Sequence, residues 1–153
     1  MKTIKNIFTL VLIASVMVFP SCGGDGGGEP SISFDEKMNG TWTLTSVTVD
    51  GIDVTSDFTG FQLSLSSSGS NSGGGYYNIT NGNNILFSIG SYSLNGTTSM
   101  NLNGDDGSST STTISLSADG TTLTLSFYNP TTTLGGGRVD GAAGDYVFVL
   151  SKQ

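Results

Sequence analysis

Histidine is absent from this 153-residue sequence, and cysteine occurs only once, at Cys22. The lack of histidine excludes Ser–His–Asp and Cys–His catalysis, as well as the common zinc sites, which use His and Cys ligands. A single cysteine also cannot form a disulfide within the chain. Both glutamates, Glu29 and Glu36, lie in or next to a glycine-rich segment that precedes the strands. Any catalytic carboxylate pair would therefore have to consist of aspartates.

The aspartates of the strand region are poorly placed for catalysis. They lie beside glycine or in turn-like segments, where Asp is favoured because its side chain hydrogen-bonds the local backbone. We therefore expect no enzymatic activity and no cofactor. The residues concerned are Asp50, Asp53, Asp57, Asp105, Asp106, Asp119, Asp140 and Asp145.

Basic residues are scarce. Five Lys and Arg face twelve Asp and Glu, which gives a formal net charge of −7. Once a signal segment containing Lys2 and Lys5 is removed, Lys37, Arg138 and Lys152 are the remaining cations. Nucleic acid binding requires several cations to neutralise phosphates. We therefore expect no nucleic acid partner and no attraction to anionic membrane surfaces.

A metal site is the remaining chemical option. The segment Asn103–Ser108 offers oxygen ligands of the type that Ca²⁺ takes. Its spacing differs from that of the calcium loop, and no glutamate follows to complete the ligand set. The sequence therefore favours a solvated hairpin turn, and we expect no metal ion.

The first 22 residues have the pattern of a bacterial lipoprotein signal. Lys2 and Lys5 precede an apolar run from Ile7 to Phe19, and Cys22 follows directly at the expected cleavage point. Two alternatives are an uncleaved membrane anchor and a soluble secreted product. The apolar run is shorter than the roughly 20 residues that span a bilayer, and Pro20 interrupts a helix there. We predict a signal peptide over residues 1–21 and acylation, including palmitate, at Cys22.

A flexible tether is predicted over residues 22–37. Glycines dominate its first part, which has no large apolar side chain to bury. The tether would connect an acylated Cys22 to a single domain over residues 38–153. We expect this domain to be a monomer, held by its lipid anchor at the bacterial outer membrane, on the cell surface or the periplasmic face.

Short runs of alternating apolar and polar residues fill the rest of the chain, separated by Gly, Asn, Asp and Ser. This pattern predicts eight or nine short antiparallel strands, with a bulge near Ser46 where the alternation shifts phase. Turns are expected at Asp50-Gly51, Asn81–Asn84 and Asp119-Gly120. Successive hairpins favour an all-β, up-and-down barrel, because closure removes exposed strand edges. The strands are expected around Trp42–Val49, Phe61–Leu65, Tyr76–Ile79, Ile85–Ile89, Tyr92–Leu94, Met100–Leu102, Ile114–Leu116, Leu123–Phe127 and Tyr146–Ser151.

Two segments resemble the lipocalin-like domains of Bacteroidetes lipoproteins. Met38–Gly51, which contains Gly40-Thr41-Trp42, is the closest, and the terminal strand Tyr146–Lys152 is also similar. The resemblance implies a barrel in which Trp42 closes one end and a basic side chain, Arg138 or Lys152, covers the Trp ring. It also implies a protein that carries a small molecule.

Two functions remain open at this point. In the first, the barrel binds a small hydrophobic or glycan-derived ligand inside or at its mouth. In the second, the core is filled, and the protein contacts partners through the loops Ser66–Gly75 and Asn129–Gly144. Aromatic residues could either line a ligand cavity or fill the core. The candidates are Trp42, Phe61, Tyr76, Phe87, Phe127 and Phe148.

Overall fold

The structure is a computed structural model that describes residues 32–69, 73–83, 85–86, 88–130 and 143–153. These residues form an antiparallel β-barrel, as the sequence predicts. Eight strands close into the barrel in the order β1-β3-β4-β5-β6-β7-β8-β9, with β9 pairing back onto β1, and the short β2 adds to the end of β1. The strands are β1 (Gly40–Val49), β2 (Ile52–Asp53), β3 (Gln62–Ser67), β4 (Gly74–Thr80), β5 (Ile89–Asn95), β6 (Ser99–Gly104), β7 (Ser109–Leu116), β8 (Thr122–Asn129) and β9 (Gly144–Lys152).

Alternation along the strands places one set of side chains inside the barrel. In β8, for example, Leu123, Leu125 and Phe127 are buried, while the residues between them are more exposed. Because side chains on a strand point alternately to opposite faces, this pattern gives one apolar interior and one polar exterior. The apolar interior is the single core of the barrel.

Strand β1 contains a bulge where it pairs with β9. Leu44 pairs with Leu150 and Ser46 with Val149, so Thr45 is the extra residue. This confirms the bulge that the phase shift near Ser46 predicts. A bulge bends its strand and increases the twist. On its other edge, the first residues of β1 pair with β3, and its last two residues pair with β2.

The turn between β1 and β2 is a two-residue hairpin. Asp50 and Gly51 both have positive φ, 50° and 79°, as an Asp-Gly hairpin turn requires. The chain then forms a 3-10 helix, Thr55–Phe58, which spans the gap where β1 has left β3. Thr55 Oγ1 accepts a hydrogen bond from Val47 N at 2.9 Å, and Val54 N donates to Val47 O at 3.0 Å. These contacts continue the ladder of β1 beyond β2.

The predicted tether is too long at its C-terminal end. A short helix, α1 (Phe34–Met38), begins with a capping box between Ser33 and Glu36 and is in contact with β3. Met38 is completely buried in the core. Since the sequence shows no helical period over so few residues, only Ser33 and Glu36, in the capping-box spacing, point to this helix. The folded unit therefore begins at residue 32.

The separate strand predicted over Ile85–Ile89 is wrong. Ile89 begins β5 and is exposed, while Leu86 is buried among the described residues of the preceding connection. Ile85 N donates to Gly82 O at 3.1 Å, so a turn does form close to the expected Asn81–Asn84 position, within a longer connection between β4 and β5. Asn81 and Asn83 also bind neighbouring backbone. Asn81 Nδ2 donates to Gly60 O at 3.0 Å, and Asn83 Nδ2 donates to Asp57 O. The connection is therefore fastened to the 3-10 helix side of the barrel.

Candidate functional site

The barrel interior is filled by aromatic rings at its centre. Phe148 lies at the middle of the cluster, with ring centroids 5.0 Å from Phe61, 5.2 Å from Phe58 and 5.9 Å from Phe127. Tyr146 stacks on Phe127 at 5.5 Å. All five side chains are buried. Of the sequence candidates, Trp42, Phe61, Phe127 and Phe148 thus lie inside the barrel as core residues.

Tyr76 is not part of this interior. Its side chain is 67% exposed, whereas the adjacent Tyr77 is buried. Two consecutive tyrosines on one strand must point to opposite faces. Gly75 and Ile79, two residues before and after Tyr77 in β4, are also buried, so this set of alternate residues faces the interior. The prediction that Tyr76 lines the barrel is therefore wrong, and Tyr77 takes that place. Phe87 lies outside the described residues.

Trp42 seals one end of the barrel. Its indole is completely buried, and its Nε1 donates to Met38 O at 2.9 Å. Lys152 lies over the ring, with Nζ 5.3 Å from the ring centroid, and donates from Nζ to Lys37 O at 2.6 Å. Lys152 is therefore placed where the resemblance puts the covering cation. The other candidate, Arg138, lies outside the described residues.

Two tyrosines fill the side of the barrel formed by β4 and β5. Tyr77 pairs with Gly90, and Tyr92 pairs with Gly75, so each ring faces a glycine on the neighbouring strand. Neither hydroxyl oxygen has a hydrogen-bond partner among the residues that the structure describes. Burial, together with the negative charges of Asp105 and Asp106, raises the pKa of Tyr77 to about 12. Burial, and then the charge of Asp35, also raises the pKa of Tyr92.

A pocket opens at the opposite end, which we call the mouth. Its volume is about 290 Å³, at the lower end of the roughly 300–1,000 Å³ typical of small-molecule sites. The apolar part of its wall comes from β1, β2, the residues after β2, the β4–β5 connection and β9. Asp50, Asp57 and Asn83 add polar groups at the rim. The described apolar lining residues are Val49, Ile52, Val54, Phe58, Ile85, Ala143 and Tyr146.

The mouth pocket has an exposed apolar rim. Ile52 is 69% exposed, because β2 pairs only with the end of β1. Asp50 is held in place as Oδ1 accepts from Asp145 N at 2.9 Å, which ties the hairpin to the start of β9. Beneath this rim, Phe58 and Tyr146 form the floor, and both also belong to the aromatic core. The pocket thus ends where the filled interior begins.

A second depression, of about 380 Å³, lies on the outside between β1 and β3. It has the 3-10 helix on one side and contains Thr43, Leu44, Thr59 and Gln62 among its lining residues. Its wall is more polar than that of the mouth pocket, because hydroxyl and amide groups lie beside the apolar side chains.

The turn Asn103–Ser108 is stabilised by its own side chains. Asp106 Oδ1 accepts hydrogen bonds from Ser108 N, at 3.0 Å, and from Ser108 Oγ, and these bonds lower the pKa of Asp106. Asp53 and Asp119 have lowered pKa values for the same reason, through Thr55 and Ser117. In the part of the chain that the structure describes, no three acidic, His or Cys residues are grouped to hold a metal.

Several sequence predictions fall on residues outside the described ranges. These include the signal peptide, the acylated Cys22 and most of the loop Asn129–Gly144. Among the described helices, none has the length and apolar character needed to cross a membrane. No family model, no curated protein and no solved structure matches this chain.

Sequence reasoning missed most of the mouth pocket. Ile52, Val54 and Phe58 fall between the Asp50-Gly51 turn and the next predicted strand, in a segment with no periodic pattern. Three apolar residues within seven positions after a hairpin turn were the available indication. They line a pocket because the bulge in β1 opens a gap that this segment covers.

Proposed function

We propose that this chain is a non-catalytic lipoprotein of the bacterial envelope, anchored through Cys22, whose barrel binds a small apolar molecule at its mouth. The observation that carries the binding function is the mouth pocket, with its apolar wall and its exposed Ile52. The filled aromatic interior favours a site at the mouth over one deep inside the barrel. The ligand is accordingly small, since the pocket holds about 290 Å³.

The lipid anchor is supported by the sequence. A positively charged start, a short apolar run and a lone cysteine followed by glycines form the signal pattern. The test is metabolic labelling of the expressed full chain with an alkyne-bearing fatty acid. We expect label on the wild type and none on Cys22→Ser. Equal labelling of the two chains, or labelling of neither, would refute the anchor without touching the binding proposal.

The binding function is tested with N-phenyl-naphthylamine, a neutral apolar dye whose fluorescence rises in apolar surroundings. Val54→Phe places a ring in the mouth pocket, and we expect it to reduce dye binding at least about tenfold, because the pocket loses its free volume. The matched control is Thr59→Phe, which adds the same ring to the second depression. We expect that variant to bind dye as the wild type does.

Two results would contradict the binding proposal. One is a wild-type protein that does not raise dye fluorescence. The other is equal dye binding by Val54→Phe and wild type, with Thr59→Phe also unchanged. Loss of binding only in Thr59→Phe would move the site to the second depression. Circular dichroism and the thermal midpoint of each variant show that the barrel remains folded.

A further inference from the structure

One side of the barrel surface is built without charge. From Phe58 to Gly104 the sequence contains no Asp, Glu, Lys or Arg. This stretch forms strands β3, β4, β5 and β6, which are neighbours in the barrel. The next strand, β7, also contains no charged residue, and the carboxylates of Asp105 and Asp106 lie in the turn between β6 and β7, at the border of this surface. For a chain with a net charge of −7, five adjacent neutral strands form a distinct surface.

The outward side chains of β3–β7, which we call the neutral face, are mainly hydroxyls and amides. The strand register aligns them in rows that run across the strands. In the central row, each residue is the direct partner of the next. This row consists of Ser66, Tyr76, Ser91, Asn103 and Ser109.

Tyr76 is the aromatic residue of this row and stands out from it. Its ring is 67% exposed, between serines on both neighbouring strands. Two residues earlier on the same face is Gly74, where a Cβ would lie only 2.5 Å from Tyr92 O. No side chain can occupy that position, and Gly74 itself is buried. Tyr76 therefore presents its exposed ring between the serine hydroxyls of the two neighbouring strands.

The serine and asparagine side chains of the central row can both donate and accept hydrogen bonds. Serine hydroxyls and asparagine amides have this double capacity, as do the hydroxyls of a sugar. Asn103 Oδ1 accepts from Ser109 Oγ at 2.9 Å, so the row is already ordered between β6 and β7. Neighbouring strands are about 4.8 Å apart, which is close to the length of one pyranose ring. A glycan chain lying across the strands would meet one strand with each sugar.

We propose that the neutral face binds an uncharged glycan, with Tyr76 stacking on a sugar ring. This site is independent of the mouth pocket, which lies at the end of the barrel and holds a different class of ligand. An acidic polysaccharide is disfavoured by the net negative charge of the protein. A charged protein partner would find no ion pair on β3–β7. A neutral polysaccharide, which is rich in hydroxyl groups, is therefore the ligand that best matches this face.

The protein offers a matched control for Tyr76. Tyr128 is 62% exposed on the outer side of β8, but its partner in β9 is Asp145. The two tyrosines therefore have similar exposure and different surroundings. Either can be replaced without loss of core packing, because both rings lie in solvent.

The experiment is native electrophoresis of the full chain, in mild detergent, through gels that contain starch, mixed-linkage β-glucan, xylan, galactomannan or alginate. We expect at least one of the four neutral polysaccharides to slow the wild type, and alginate to have no effect. Tyr76→Ala should raise the dissociation constant about tenfold, while Tyr128→Ala leaves it unchanged. Tyr76→Phe, which keeps the ring, should bind as the wild type does. Ser91→Glu, which places a charge in the row, should weaken binding.

Three outcomes would overturn the proposal. The first is no retardation by any of the four neutral polysaccharides. The second is an equal effect of Tyr76→Ala and Tyr128→Ala, since the two variants should differ if the row matters. The third is a dimer of the wild type, dissolved by Tyr76→Ala, without glycan binding. That result would identify a second copy of the chain as the occupant of the neutral face.

Discussion

The two ends of the barrel are closed in different ways. At the sealed end, Trp42 is fully buried, bound through Nε1 to Met38 O and covered by Lys152. At the mouth, β2 and the 3-10 helix leave a pocket whose rim residue Ile52 is largely exposed. A barrel of eight strands has an interior just wide enough for side chains to fill. The comparison suggests that the sealed end supplies stability and that the mouth is left for binding.

The largest effect should come from the sealed end. Replacing Trp42 by Ala removes the largest buried side chain of the core and leaves a cavity, at a cost of about 3–5 kcal/mol in the free energy of unfolding. Urea unfolding followed by circular dichroism measures this change. The matched substitution at the mouth is Ile52→Ala, which should cost less than about 0.5 kcal/mol because the side chain is already in solvent. Similar losses at the two ends would refute the comparison.

The next effect concerns Tyr77, which with Tyr92 fills the side of the barrel formed by β4 and β5. The pKa of Tyr77 is raised from its ordinary 10.0 to about 12, so the fold favours the neutral phenol. The contribution of Tyr77 to the free energy of unfolding is therefore fully present below pH 10. It is lost as the pH rises toward about 12, where Tyr77 also ionises in the folded protein. Urea unfolding at several alkaline pH values should show this decline.

Tyr77→Phe is the control for this pH dependence. Its hydroxyl lacks a hydrogen-bond partner in the described ranges, so removing it leaves no unpaired group behind. We expect the variant to lose stability less steeply between pH 10 and pH 12. The slope that remains includes the contribution of Tyr92, whose pKa is also raised. An identical slope in wild type and variant would show that Tyr77 does not contribute.

The smallest effect should come from the lysine over Trp42. Lys152→Met keeps the aliphatic stem and removes both the cation over the ring and the hydrogen bond to Lys37 O, which together should cost about 0.5–1 kcal/mol of unfolding free energy. The control is Lys37→Met. Lys37 contributes its backbone oxygen to Lys152, so losing its side-chain charge should not matter. A loss of equal size in both variants would point to net charge rather than to the contact with the ring.

The sequence was informative wherever alternation was regular. The closed barrel, the bulge near Ser46 and the Asp50-Gly51 turn follow from period-two patterns and turn chemistry, which are local properties. The position of Lys152 over Trp42 followed from a resemblance. For the strand alternation, the bulge and the turn, a few neighbouring residues determine the outcome, whereas the contact between Lys152 and Trp42 joins residues that are far apart in the chain.

The failures occurred where tertiary contacts decide. Tyr76 and Tyr77 are equally suited to either face, and only the phase of the whole strand distinguishes them. Helix α1 is too short to show a period and is stabilised by its cap and by the burial of Met38. The mouth pocket depends on the gap that the bulge opens, so its lining residues share no local pattern.

The double pairing of β1 has a mechanical consequence. This strand is the first of the barrel, and it is hydrogen-bonded to β3 on one side and to β9 on the other. If the chain before β1 is attached to a membrane while the neutral face is bound to a glycan, a pulling force acts on the barrel through β1. Antiparallel hydrogen bonds lie perpendicular to their strands, so such a pull would shear both ladders at once rather than open them one bond at a time. The fold thus places a strand that is paired on both sides where a load would arrive.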